Sequence, residues 1–108
     1  MKRANSLQII QQHIANYRLS LLYVQAPNCG VCTVFHTQIE KLLSEMPQIA
    51  GIETNIVNVP SIAGAFQVMS APAVLAFADG KEIWRGARFI DMKALQDILE
   101  KYSQEYTI

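Results

Sequence analysis

Leu19-Ser20-Leu21-Leu22-Tyr23-Val24-Gln25-Ala26-Pro27-Asn28-Cys29-Gly30-Val31-Cys32 is the stretch on which the fold turns. Leu19 to Gln25 reads as a buried strand, because its apolar character is nearly continuous rather than alternating. Pro27 and Asn28 interrupt the strand and lead into the cysteines. Beyond Cys32 the rhythm becomes helical, with Phe35, Ile39, Leu42, Leu43 and Met46 on one face up to the breaker Pro47. The two cysteines are the only ones in the chain, and they sit where a strand passes into a helix. Unpaired backbone N–H groups and the positive end of the helix dipole favour a thiolate there. The thiolate is the nucleophile of disulfide exchange.

The rest of the chain builds outward from this junction. On the N-terminal side Asn5 or Ser6 can cap a helix with Leu7, Ile10 and Ile14 on one face. On the C-terminal side Ile52 to Val59 alternates as a half-buried strand, and Pro60 suits the first turn of a short helix ending near Phe66. Pro72 opens a further strand, Ala73 to Ala78. Asp79-Gly80 is a two-residue hairpin signal, so 81–86 should return antiparallel. Asp91 can cap a last helix that buries Leu95, Ile98, Leu99 and Tyr102. The order α-β-α-β-α-β-β-α predicts an α/β fold with one four-stranded mixed sheet sandwiched by helices. Its first two strands are parallel and its last two form a hairpin. Residues 1–108 read as a single domain with a core at about 7–102, and Tyr106 to Ile108 as a frayed end.

Composition narrows the function. The 108 residues carry nine basic and nine acidic side chains, a balance that argues against a nucleic-acid surface. Arg85 and Arg88 suggest a local positive patch, but read more simply as a solvated rim. Met1 to Gln12 lacks the apolar core of a signal peptide, and no apolar run approaches the roughly 20 residues of a membrane span. The expectation is a cytoplasmic monomer that engages neither membrane nor nucleic acid. Two cysteines are too few to staple a secreted fold, which leaves redox or metal chemistry for a cytosolic CxxC.

This element order, with Cys29-Gly30-Val31-Cys32 after the first strand and Pro72 opening the third, resembles the thioredoxin family over roughly residues 7–102. Cys29-Gly30-Val31-Cys32 looks like the family's Cys-Gly-Pro-Cys, and Phe77-Ala78-Asp79-Gly80 like its Phe-x-Asn-Gly hairpin. Ala71-Pro72 matches the family's Ile-Pro, whose cis bond faces the cysteines, and Gly86 matches the glycine lining the substrate groove. The resemblance implies a thiol-disulfide oxidoreductase acting on protein or small-molecule disulfides. Cys29 would attack and Cys32 resolve, with Ala71, Pro72 and Gly86 holding an extended substrate. It implies no cofactor beyond the redox-active disulfide, no metal, and a flavin-dependent thioredoxin reductase as electron donor. The alternative is a redox-sensing or binding module that uses the same groove without efficient turnover.

Several positions depart from the family pattern. Met1 to Ser6 is too short and polar for the family's additional N-terminal strand, hence the expectation of four strands. Tyr23 stands where the family has a buried aspartate, whose partner lysine falls at Glu53 or Thr54. Asn28 and Gln25 replace two tryptophans. A tyrosine hydroxyl with its pKa of about 10 is a poor base, so water or Glu53 is left to take the Cys32 proton. Tyr23 otherwise reads as a core aromatic, and Glu53 as a surface strand residue. Val31 replaces the family's proline, which predicts a potential between roughly −270 and roughly −180 mV. His36 lies four residues after Cys32 on the same helix face. With Cys29 and Cys32 it could supply three zinc ligands, but His13 lies in another helix, so His36 reads as solvated or helix-packing.

Overall fold

The computed structural model describes residues 1–105; the expected frayed end at 106–108 lies outside them. In chain order the elements are β1 (Lys2–Arg3), α1 (Leu7–Asn16), β2 (Leu19–Gln25), α2 (Gly30–Glu45), β3 (Ala50–Asn55), α3 (Ile62–Phe66), β4 (Ala73–Ala78), β5 (Lys81–Ala87) and α4 (Met92–Glu105). The local signals act as their chemistry dictates. Ser6 Oγ accepts from the Ile9 N–H at 3.2 Å, and Asp91 Oδ1 from the Ala94 N–H at 3.0 Å, each satisfying a donor that the first helical turn leaves unpaired. Asp79 and Gly80 both adopt positive φ, 51° and 80°. That conformation matches a tight turn to the twist of β4 and β5.

The strands form one mixed sheet in the order β1-β3-β2-β4-β5. β2 and β3 are parallel, as α2 between them requires, while β4 runs antiparallel to both β2 and β5. Alternate residues of the central strands feed two cores. Leu19, Leu21, Tyr23, Val74 and Ala76 meet α2 and α4 on one face. Leu22, Val24, Ile52 and Leu75 meet α1 and α3 on the other. Ile39 and Leu95 are fully buried, and truncating such a side chain to alanine costs about 2–5 kcal/mol.

Two expectations are corrected. The sheet has five strands, because Lys2 and Arg3 pair with Ile52 and Glu53 along the free edge of β3. The Ala4 N–H extends this pairing to the Glu53 carbonyl at 2.9 Å, and Thr54 Oγ1 donates to the Ala4 carbonyl at 2.9 Å. An edge strand bonds through its backbone, so exposed lysine and arginine side chains do not oppose it. The next strand ends at Asn55 rather than Val59, since Asn55 Oδ1 takes the Val57 N–H at 2.8 Å and turns the chain.

Candidate active site

β2 ends at Gln25, and the chain swings through Asn28, at φ 58°, into α2. Cys29 is the N-cap of that helix. Its Sγ accepts from the Cys32 N–H at 3.1 Å, the contact that would stabilise a thiolate. Cys32, in the first turn, is 1% exposed, whereas Cys29 is half-buried. The two are joined as a disulfide with Cα atoms 5.2 Å apart. A molecule approaching from solvent therefore meets Cys29 first.

Strand register gathers the other expected residues at the same end of the sheet. Ala73 pairs with Val24, so the Ala71-Pro72 bond just before it, which is cis, lies beside the end of β2. Gly86 pairs with Val74 on the far side. A Cβ at Gly86 would come within 2.6 Å of the Trp84 ring, so the indole lies over this glycine and leaves no room for a side chain. Around these residues the surface exposes Val31, Val34, Met69 and Phe89. Phe89 is anchored edge-on against Phe35 of α2, centroids 5.8 Å apart.

Beneath the cysteines lies a buried polar group. Tyr23 is fully buried, and its hydroxyl donates to the Cys32 carbonyl at 2.5 Å, tying the strand to the helix start. Burial first, then the charge of Glu53, pushes the Tyr23 phenol up to about 12. Glu53 is not the expected surface residue; it is 5% exposed. The reason is the added strand: β1 covers the edge of β3 and turns it into an interior strand. The carboxylate is held by His36 Nε2 at 2.8 Å and Gln25 Nε2 at 3.3 Å, with Arg3 Nε at 3.8 Å. Such partners are what a buried charge requires. His36, expected to be solvated or merely packing, is this partner, and its ring lies 5.9 Å from that of Tyr23. Beyond Glu53 opens a polar pocket of 260 Å³, lined also by Arg3, Asn5, Gln25, Asn55 and Asn58.

The ligating atoms of His36, Glu40 and Glu53 lie within 4.8 Å of one another, close enough to share a cation. The Met1 ammonium, bonded to Glu40, already supplies positive charge there. Cys29 and Cys32 are bonded to each other, and His36 to Glu53. Sequence reasoning missed the His36–Glu53 pair. The available signals were the four-residue step from Cys32 to His36 and the parallel register that sets Glu53 beside Tyr23.

A CxxC disulfide at a strand-to-helix junction, beside a strand opened by a cis-proline, defines a dithiol–disulfide exchange centre. The thioredoxin family model matches residues 4–104. The chain is 32% identical over 106 residues to the Thioredoxin-like protein YdfQ of Bacillus subtilis, covering 98% of this chain and 95% of that protein. It is 30% identical over 78 residues to the thioredoxin of the same organism, covering 71% and 75%. Among solved structures, thioredoxin from Plasmodium falciparum superposes with a TM-score of 0.83 at 20% identity, covering 94% of this chain and 99% of that one. The chain belongs to the thioredoxin family, and it is a thiol-disulfide oxidoreductase.

Proposed function

We propose that the chain is a cytoplasmic protein-disulfide reductase in which Cys29 attacks and Cys32 resolves. The Cys29 thiolate attacks one sulfur of a substrate disulfide, forming a mixed disulfide and expelling a substrate thiolate. Cys32 loses its proton and attacks Cys29 Sγ, which closes the Cys29–Cys32 disulfide and frees the second substrate thiol. Two electrons pass from the dithiol to the substrate. The observation that carries this reading is the asymmetry of the pair: Cys29 half-buried with its Sγ on the Cys32 N–H, Cys32 buried behind it.

Ala71, Pro72 and Gly86 line the groove for an extended protein segment, and the exposed Val31, Val34, Met69 and Phe89 give it an apolar rim. Tyr23 holds the start of α2 in place, and Glu53 supplies the negative charge that draws the proton from Cys32. The partners are disulfide-bearing proteins and a thioredoxin reductase that restores the dithiol. The compartment follows from the reaction, because a reductant works where its thiols are kept reduced. No redox group beyond the cysteine pair enters the scheme. Insulin-disulfide reduction tests it: Cys29→Ser abolishes turnover, and Cys32→Ser accumulates a substrate mixed disulfide on Cys29. Turnover surviving in Cys29→Ser would overturn the assignment.

A further inference from the structure

We infer that His36 accepts the Cys32 proton during resolution, with Glu53 holding the imidazolium that results. The inference rests on the assignment of Cys32 as the resolving thiol and adds to it the route by which that thiol is activated.

Three observations converge on His36. It lies four residues after Cys32 on α2, a separation that places two side chains on one helix face with Cβ atoms roughly 5–6 Å apart. Helical side chains lean toward the N-terminus, which directs the imidazole back toward residue 32. Glu53 then fixes the tautomer. An ionised carboxylate only accepts hydrogen bonds, so in the neutral imidazole the 2.8 Å contact puts the proton on Nε2 and leaves the Nδ1 lone pair as the base. Finally, the neighbouring phenol is committed elsewhere, because the Tyr23 hydroxyl donates to the Cys32 carbonyl.

The step balances within the chain. The Cys32 S–H bond breaks, its proton passes to His36 Nδ1, and the sulfur electron pair forms the bond to Cys29 Sγ while the substrate sulfur departs. The imidazolium stays paired with the Glu53 carboxylate until its proton is lost to solvent at the polar pocket beyond Glu53. The charged and titratable groups around the pair are Arg3 from β1, Glu40 with the Met1 ammonium on it, and Tyr23 from β2. The Met1 ammonium pairs with Glu40, while the Arg3 guanidinium lies 3.8 Å from Glu53 itself.

The test is a stopped-flow reaction of the reduced protein with an aromatic disulfide whose released thiol is coloured. The first burst reports attack by Cys29 and the second reports resolution by Cys32. The second rate is followed across pH in the native chain and in the variant. His36→Gln can still donate to Glu53 but cannot take up a proton. It should leave the first burst unchanged, slow the second at least about tenfold at pH 7, and change the pH profile of the second. A purely structural histidine would be replaced by glutamine without effect. A native second rate and native pH profile in His36→Gln would therefore overturn the inference. Absence of both bursts in the native protein would instead overturn the exchange reaction on which it rests.

Discussion

Tyr23 and Glu53 stand side by side in register on neighbouring parallel strands, both buried, the phenol protonated and the carboxylate charged. The pairing sets the electrostatics beneath the disulfide. A negative charge lies one strand away from Tyr23, and the Tyr23 hydroxyl that bonds the Cys32 carbonyl is a neutral hydrogen-bond donor.

Alkaline titration should find this pair. One tyrosine absorbance step falls near pH 12, where burial and the Glu53 charge place the Tyr23 phenol. Removing the charge with Glu53→Gln lowers that step, though burial, the larger cause, keeps it above the ordinary tyrosine value of about 10. The folded phenol binds its proton more tightly than the unfolded one. Its contribution to stability is therefore complete below about pH 10 and lost as the pH climbs toward 12. In Tyr23→Phe that alkaline loss disappears, as urea unfolding at pH 9 and pH 11 would show. A native-like loss in the phenylalanine variant would contradict it.

Arg85 is exposed, as a rim residue would be, and also holds neighbouring backbone together. Its guanidinium donates to the Phe66 and Gln67 carbonyls at 2.6 and 2.8 Å, closing the end of α3, and pairs with Glu82 at 2.8 Å. Arg85→Ala should destabilise the fold by about 1–2 kcal/mol in denaturant unfolding. The hydrogen bond from Arg85 lowers the Glu82 pKa. That share of stability is present above the ordinary carboxylate range and is lost as pH falls through the lowered value. Arg85→Ala should remove this acid dependence, and an alanine variant as stable as the native chain would refute the role.

Gly86 is held free of a side chain by Trp84, the only tryptophan of the chain. Gly86→Val must push the indole aside, at about 1–3 kcal/mol for an overpacked site. Because the tryptophan emission comes from Trp84 alone, a shift in that emission should accompany the loss of stability. Unchanged emission and unchanged stability would show that the contact is dispensable.

Much of this was legible in the sequence for reasons that can be named. The continuous apolar run of β2, the hairpin pair Asp79-Gly80 and the caps at Ser6 and Asp91 are local signals, and each is decided by its own few residues. The CxxC placement followed from the same local punctuation. What escaped was non-local. Lys2 and Arg3 carry no apolar pattern, because an edge strand that pairs through its backbone needs none. Glu53 read as a surface residue because its burial is supplied by β1 and by His36, which lie far from it in the chain. A buried carboxylate is recognisable only when its partners are known.

The redox potential of the Cys29–Cys32 couple can be measured by equilibration in defined thiol buffers with trapping of free thiols. Val31 at the second intervening position, half exposed and bearing an N–H that proline lacks, predicts a reversible two-electron couple between roughly −270 and roughly −180 mV. A cysteine pair that forms no disulfide across the accessible buffers, or that cannot be reduced once oxidised, would contradict the assignment of this site as a thiol-disulfide exchange centre.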